Sequence, residues 1–253
     1  VYVGAAPGEH IVPLSKMFPT IKFHLFDKND FDGRLNQCKN VEINKRYFAE
    51  DDIKLWKTKP CLFVSDIRTL SYDSSKTKIE DMKKNEDIVW GDMNLQRSWV
   101  EEIKPLYSLL KFRLPYAEKF ELEKGKTRDY LDGIVYIQPF CKPVSSETRL
   151  CVLGKQITER KWDIVSYERK LFHHNFTTRH KTKFTNPFTE DMKHIYQEVG
   201  LYNDFDSVYL AHVVMDYMKK VGKLPTESSV QKILKFIVEN VAHDRKLTDI
   251  RKN

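Results

Sequence analysis

Four groups of residues in this 253-residue chain have types and spacing that could do chemistry. The first is V-Y-V-G-A-A-P-G at residues 1–8, which reads as a strand-to-helix turn. Glycines there let a ligand approach the backbone, and the helix that follows adds a partial positive end. The second is Asp27, which ends the apolar run I-K-F-H-L-F, 23 residues after Gly4. A carboxylate at that place can accept both hydroxyls of a ribose, as in the dinucleotide-binding folds. The turn is not G-x-G-x-x-G, and Pro7 removes a backbone donor. That favours a nucleoside without phosphates, such as S-adenosylmethionine. An ordinary strand–turn–helix with no ligand also fits the turn.

The third group is Asp66, Lys111 and Glu147. Asp66 follows C-L-F-V-S, Lys111 follows Leu109-Leu110, and Glu147 precedes R-L-C-V-L. In open α/β sheets the carboxyl ends of the strands form the ligand crevice. A lysine in a partly desolvated crevice can titrate near neutrality and act as a base, with carboxylates orienting it. Taken singly, each residue also fits an ordinary charge at a strand end. The fourth group is the stretch 155–183, with eight Lys/Arg against three Asp/Glu. Trp162, Tyr167, Phe172, Phe176 and Phe184 interleave or flank it. Basic side chains neutralise phosphates and exposed aromatics stack on bases. The competing reading puts Trp162 and Phe172 in the core, with the charges in water. For T-T-R-H-K-T-K at 177–183, nucleic acid, a partner protein and plain solvation all remain open.

The elements that must position these groups follow from the pattern. Strands are expected at 1–3, 21–26, 41–43, 60–65, 111–116, 134–137 and 149–153. Helices are expected at 10–18, 51–57, 92–110 and 162–172. Residues 71–91 read as a polar surface loop with helical pieces, 118–132 as a charged excursion, and 173–188 as loop. Three helices follow, at 190–199, 205–221 and 227–242, capped by Thr189, Asp204 and Thr226. This order fits an α/β fold: a mostly parallel sheet with helices on both faces, and a C-terminal helical extension. The domain is expected over 1–188, with the extension at 189–253 packed on it.

Composition bounds the rest. Hydrophobic residues are 41% and aromatics 12%, enough for a full core, which excludes disordered and fibrous classes. No run of 18 apolar residues predicts a membrane span. The net charge of +7 fits an acidic partner. Cys38, Cys61, Cys141 and Cys151 form no C-x-x-C pair, so neither a disulfide framework nor a metal site is expected. Reduced cysteines fit the cytosol or nucleus.

The chain resembles the poxvirus-type cap-specific mRNA (nucleoside-2′-O-)-methyltransferase family, whose members double as the small, regulatory subunit of poly(A) polymerase. The matching stretches are V-Y-V-G-A-A-P-G-E-H-I, L-F-D, R-Y-F, L-F-V-S-D-I-R, L-L-K-F-R-L-P-Y, Q-P-F, S-S-E-T-R-L and S-Y-E-R-K, in the family's order over roughly residues 1–170. The resemblance implies a Rossmann-like methyltransferase fold and S-adenosyl-L-methionine as methyl donor. It implies a Lys-Asp-Lys-Glu site in which Asp66, Lys111 and Glu147 are the last three members. Lys111 would deprotonate the ribose 2′-OH of the first transcribed nucleotide. Tyr2, Gly4, Ala6, Pro7, Gly8, His10, Asp27, Arg46, Tyr47, Phe48 and Asp66 would contact the cofactor. Tyr116 would stack on 7-methylguanine, with Glu118 and Glu168 on its edge. Capped mRNA and the catalytic subunit of a viral poly(A) polymerase are the implied partners, and host cytoplasm or virion the implied location.

Departures accompany the match. The family's first catalytic lysine and its second cap-stacking aromatic are expected upstream of Val1, in an N-terminal part that is apparently missing. Asn29 replaces a basic residue, and 118–132 is longer and more charged. Two other functions fit the same fold: a non-catalytic RNA-binding polymerase subunit, and a ribosomal-RNA 2′-O-methyltransferase. Tyr116 and Glu168 weigh against the last, since uncapped RNA needs no slot for 7-methylguanine.

Overall fold

Short runs rich in Val, Ile, Leu and Phe become a seven-stranded sheet, as their β-branched and aromatic content favours. The computed structural model describes residues 1–69, 79–117, 126–154, 156–179, 204–237 and 239, with the backbone alone at 79–83 and 227. The chain divides into two compact units. The first holds Val1–Ile11, Ser15–Ile137 and Glu147–Tyr167; the second holds Val12–Leu14, Gln138–Ser146 and Glu168–Asn253. The domain boundary expected at 188 lies outside the described residues.

In chain order the first elements are β1 (Tyr2–Val3), α1 (Ile11–Met17), β2 (Phe23–Phe26), β3 (Val41–Asn44), α2 (Glu50–Lys57) and β4 (Leu62–Ser65). Then come α3 (Ile79–Ile103), β5 (Tyr107–Phe112), β6 (Thr127–Leu131), β7 (Ile134–Ile137), β8 (Thr148–Leu153), β9 (Glu159–Asp163) and α4 (Ile164–His173). The sheet order is β3-β2-β1-β4-β5-β8-β7. Strands β3, β2, β1, β4 and β5 run parallel, while β8 is antiparallel to both β5 and β7. The sheet is therefore mostly parallel and carries helices, as expected. The strand order reverses between β1 and β4, the place where such sheets open a ligand crevice.

One sheet face is core. Phe63, Leu110, Leu150 and Val152 are fully buried, as strand alternation dictates. Phe48 packs edge-on against Phe26, Phe63 and Trp99, with ring centroids 5.0–5.9 Å away. No described helix is long and apolar enough to cross a membrane. All four cysteines are free, and Cys61 is buried.

Three expectations need correction. The helix expected at 92–110 begins by Ile79 and ends at Ile103. Pro105 cannot continue it and Lys104 turns to φ +50°, so Leu110 belongs to β5, which runs Tyr107–Phe112 rather than the 111–116 expected, while Leu106 precedes it, exposed. The charged residues from 79 to 91 belong to the same helix rather than to a loop. Finally, β6 and β9 pair as a separate antiparallel ribbon in sequence with little alternation. Trp162 ends up in that ribbon, and α4 starts later because the Asp163 carboxylate caps it, accepting the Ser166 N–H at 2.7 Å.

In the second unit α4 runs on into a wider turn at His174–Thr178. Helices α5 (Phe205–Lys220) and α6 (Glu227–Ile237) follow. Asp204 caps α5 by accepting the Ser207 N–H, and the Thr226 hydroxyl accepts the Ser229 N–H. Phe140, Ala211, Val214, Met218, Val230 and Leu234 form this unit's core. The helix expected at 190–199 and its cap Thr189 lie outside the described residues.

Candidate active site at the strand ends

Strand register brings the singled-out residues to one edge. Val3 pairs with Ser65 and with Phe26, so Gly4, Asp66 and Asp27 leave neighbouring strand ends together. Ser65 pairs with Leu110, which sets Asp66 beside Lys111. Lys111 pairs with Arg149, and because β8 is antiparallel its start, with Glu147, meets the end of β5. Four parallel strands thus present their C-terminal ends, and one antiparallel strand its N-terminal end.

Lys111 Nζ lies 3.1 Å from Asp66 Oδ1 and 3.4 Å from Glu147 Oε1. The three candidate catalytic groups therefore converge. Two further residues join them. Arg149 Nη2 donates to the same Asp66 oxygen at 2.8 Å, and its Nη1 lies 3.5 Å from the same Glu147 oxygen. Arg68 Nη2 donates to Glu147 Oε2 at 3.1 Å. Burial works to raise the Glu147 carboxyl, but the charges of Arg68, Lys111 and Arg149 overcome it and hold it below the usual range. Three cations face two carboxylates, and each of the five side chains is only 15–26% exposed. The sequence reasoning did not single out Arg68 or Arg149. Each stands two residues after a chosen acid, in D-I-R and E-T-R. Along an extended chain that offset returns to the same face, so the signal was present.

The glycine turn closes against this cluster. Gly4 has φ +76°, and a Cβ there would meet the Asp66 carbonyl carbon and the Ile67 nitrogen at 2.9 Å. Only glycine lets β1 leave the sheet so close to β4. The Ala6 N–H donates to Asp27 Oδ2 and the Asn29 N–H to Oδ1, at 3.1 and 2.9 Å. Each oxygen keeps a further lone pair, so the carboxylate is aimed and still able to accept two hydroxyls. Asp32 N–H fixes the turn by donating to the Pro7 carbonyl at 2.8 Å. Gly8, also at positive φ, packs against Leu35 and Phe31. The Tyr2 and His10 rings lie 5.6 Å apart. Burial raises the Tyr2 hydroxyl and lowers the His10 imidazole, and the Asp66 charge acts on both.

The other candidates are more scattered. Arg46 forms a two-pronged pair with Asp52 at 2.6 and 2.7 Å, and Asp52 in turn accepts the Ala49 N–H at the start of α2. Tyr47 is 69% exposed, with Lys28 Nζ 5.6 Å from its ring centre. Phe48 points into the core cluster, so its side chain serves packing. Tyr116 is half-buried under the Arg113 guanidinium, whose Nη1 donates to both Glu86 carboxylate oxygens. Glu168 is buried in the second unit. Glu118 lies outside the described residues. In the basic stretch, Arg179 meets none of the three readings left open for 177–183, nucleic acid, a partner protein or solvent: it is buried and paired with Asp206 at 2.6 Å. Among the described residues no group of three or more His, Cys, Asp or Glu is placed to hold a metal ion.

Comparison with known proteins adds the lineage. A protein named cap-specific mRNA (nucleoside-2′-O-)-methyltransferase from Fowlpox virus is 31% identical over 197 residues, covering 72% of this chain and 59% of that protein. Proteins of the same name from the Lausanne and Uriarra strains of Myxoma virus are 25% identical over 257 residues, covering 95% of this chain and 70% of theirs. This chain thus spans about three-fifths to seven-tenths of their length. Among solved structures, bluetongue virus VP4, titled a multifunctional RNA-capping production-line, matches with a TM-score of 0.43 and 14% identity. That match covers 68% of this chain and 28% of VP4, a likeness too slight to bear on function. The family model described as poly A polymerase regulatory subunit matches residues 1–242, and the chain belongs to that family.

Proposed function

We propose that this protein transfers methyl from S-adenosylmethionine to the ribose 2′-OH next to an mRNA cap. The observation that carries the proposal is Lys111 held between Asp66 and Glu147 beside the Gly4–Asp27 turn. The names of the poxvirus relatives support the substrate class. The donor-side fit rests on Asp27, oriented by two backbone N–H groups with lone pairs left for a ribose. Burial lowers the His10 imidazole and so favours its neutral form, which suits a neighbouring sulfonium better than a cation would.

S-adenosylmethionine supplies an electrophilic methyl group. Lys111 in its amine form accepts the 2′-OH proton, and the ribose oxygen bonds the methyl carbon as the carbon–sulfur bond breaks. The sulfur keeps the electron pair, and the new ammonium carries the positive charge. Asp66 and Glu147 orient Nζ through its hydrogen bonds, so the base is aimed before substrate arrives. Arg149 and Arg68 hold those carboxylates in turn. With Lys111 as the amine, Arg68 and Arg149 balance the charges of Asp66 and Glu147. The family description supports a second role beside a poly(A) polymerase catalytic subunit, with capped RNA as the shared ligand.

The test is transfer of labelled methyl to RNA with and without a 7-methylguanosine cap. Capped RNA is expected to be labelled and uncapped RNA not; equal labelling of both defeats the cap assignment. Lys111→Ala is expected to lower turnover by about 10²–10⁴-fold, the usual worth of a positioned base, with donor binding kept. Wild-type turnover in that variant removes Lys111 from the base role.

A further inference from the structure

Helix α3 turns buried residues toward the sheet at helical spacing, Trp99 among them, and six form its central stripe: Val89, Asp92, Met93, Gln96, Val100 and Ile103. Two of the six are polar. A buried carboxylate or amide destabilises the fold unless it is hydrogen-bonded. Both direct their bonds at the strand ends that carry the charged cluster. Asp92 Oδ2 accepts the Thr69 N–H at 2.8 Å, and Oδ1 accepts the Thr69 hydroxyl at 2.5 Å. One turn along, Gln96 Nε2 donates to the carbonyl of Lys111 at 3.1 Å. Thr69 directly follows Arg68 and stands three residues after Asp66. The same helix therefore holds the backbone at Lys111 and the chain just past Asp66.

We propose that Asp92 is a positioning residue, which sets Asp66 and Arg68 against Lys111 by fixing the chain beyond β4 through Thr69. Among the described residues it bonds neither the reacting groups nor the cluster's carboxylates, and within the cluster its charge acts on Arg68. The last ladder bond is that of the Asp66 N–H to the Val3 carbonyl at 2.9 Å, and the backbone from Ile67 to Thr69 has left the sheet. Two bonds from a rigid helix define it instead. A loosely held first shell is costly, because displacement of about 1 Å can lower turnover about 10²-fold. The catalytic consequence rests on the methyl-transfer reading above; the positional one does not.

The chemistry of Asp92 supplies a discriminating set of variants. In Asp92→Asn the amide oxygen can still accept the Thr69 N–H, and the amide nitrogen can donate to the hydroxyl, so both bonds survive. Asp92→Ala loses both, Thr69→Val loses one, and Thr69→Ser keeps both. We expect Asp92→Ala and Thr69→Val to lower kcat by about 10–100-fold, with KM for donor and capped RNA within about twofold. Asp92→Asn and Thr69→Ser are expected to stay near wild type. Without any substrate, the ε-carbon NMR resonance of Lys111 is expected to move in Asp92→Ala and to hold in Asp92→Asn. Thr69 is exposed, so its variants decide the matter if Asp92→Ala does not fold. Wild-type kcat in Thr69→Val, equal losses in Thr69→Ser and Thr69→Val, or an unmoved Lys111 resonance in Asp92→Ala overturns the proposal. A wild-type protein that fails to methylate capped RNA defeats the proposed function alone, and the Lys111 resonance then decides this inference by itself.

Discussion

In the second unit the Arg179 guanidinium is enclosed. Its Nε and Nη2 both donate to Asp206 Oδ2, at 3.1 and 2.6 Å. Nη2 also reaches the Cys141 carbonyl at 3.0 Å, and Nη1 reaches Asn175 Oδ1 at 3.1 Å and Cys141 Sγ at 3.2 Å. Asp206 Oδ2 further accepts the Phe140 N–H, and both side chains are essentially without solvent. In the first unit Arg149 and Arg68 are arranged otherwise. Arg149 shares two carboxylate oxygens with Lys111, and water reaches every member of the cluster. Among the described residues, the first arrangement sets one buried anion against one buried cation. The second has substitutes for every contact and a spare positive charge. A desolvated pair with a single solution serves as a latch joining the 138–146 segment, the turn after α4 and the start of α5. A shared, partly wet cluster can gain or lose a proton without collapsing, which is what a reacting site requires.

The contrast breaks most visibly at Arg179. Arg179→Met leaves the Asp206 carboxylate buried without its cation, and we expect a loss of about 3–5 kcal/mol in urea unfolding. Adding Asp206→Leu removes the stranded charge, so the double variant is expected to regain much of that stability. A single variant within about 1 kcal/mol of wild type would mean the pair is not a latch.

The opposite pattern is expected at Arg149. Arg149→Met still leaves Lys111 and Arg68 facing Asp66 and Glu147, so no charge is stranded. The stability cost is expected to be about 1 kcal/mol, in the range of a replaceable ion pair. Methyl transfer should nevertheless fall, because Lys111 would no longer share its two carboxylate oxygens with a fixed fork. Similar stability losses in Arg149→Met and Arg179→Met would erase the distinction between the two clusters.

These two arginines also mark how far the sequence could be read. The strand ends were legible because apolar runs stop at Asp27, Asp66 and Lys111, and an open α/β sheet puts such stops on one edge. The sequence left open whether Asp66, Lys111 and Glu147 converge; Glu147 joins the other two only because β8 runs antiparallel to β5. Arg179 was not legible: in T-T-R-H-K-T-K it looks like any solvated cation, and its partner Asp206 lies 27 residues further along the chain. The extent of α3 was misjudged for a related reason. Lys84 and Asp87 are exposed, and the buried stripe emerges only from Val89. Asp92 and Gln96 sit in that stripe as polar residues at core positions. The spacing could have flagged them, since a polar group at a core position needs a partner. β9 carried no usable pattern, because E-R-K-W-D owes its strand to pairing with β6 rather than to burial.

The finest distinction is electrostatic and lies in Glu147. Its carboxyl is held below the ordinary value of 4.5, with burial opposing and Arg68 the foremost charge prevailing. A carboxyl depressed in the folded state adds stability that is fully present above the unfolded value and is lost as pH falls through the folded one. Wild type should therefore keep the Glu147 contribution at pH 5 and lose it progressively below the usual glutamate range. Arg68→Met removes the leading opposing charge, so burial weighs more and the Glu147 midpoint moves up. The loss of stability then begins at higher pH than in wild type. Titration of the Glu147 carboxyl carbon by NMR, beside acid unfolding of both proteins, measures this directly. An unchanged midpoint in Arg68→Met would assign the depression to Lys111 and Arg149 instead. The cluster would then owe its charge state to the shared oxygens alone, with Arg68 acting only as a steric brace.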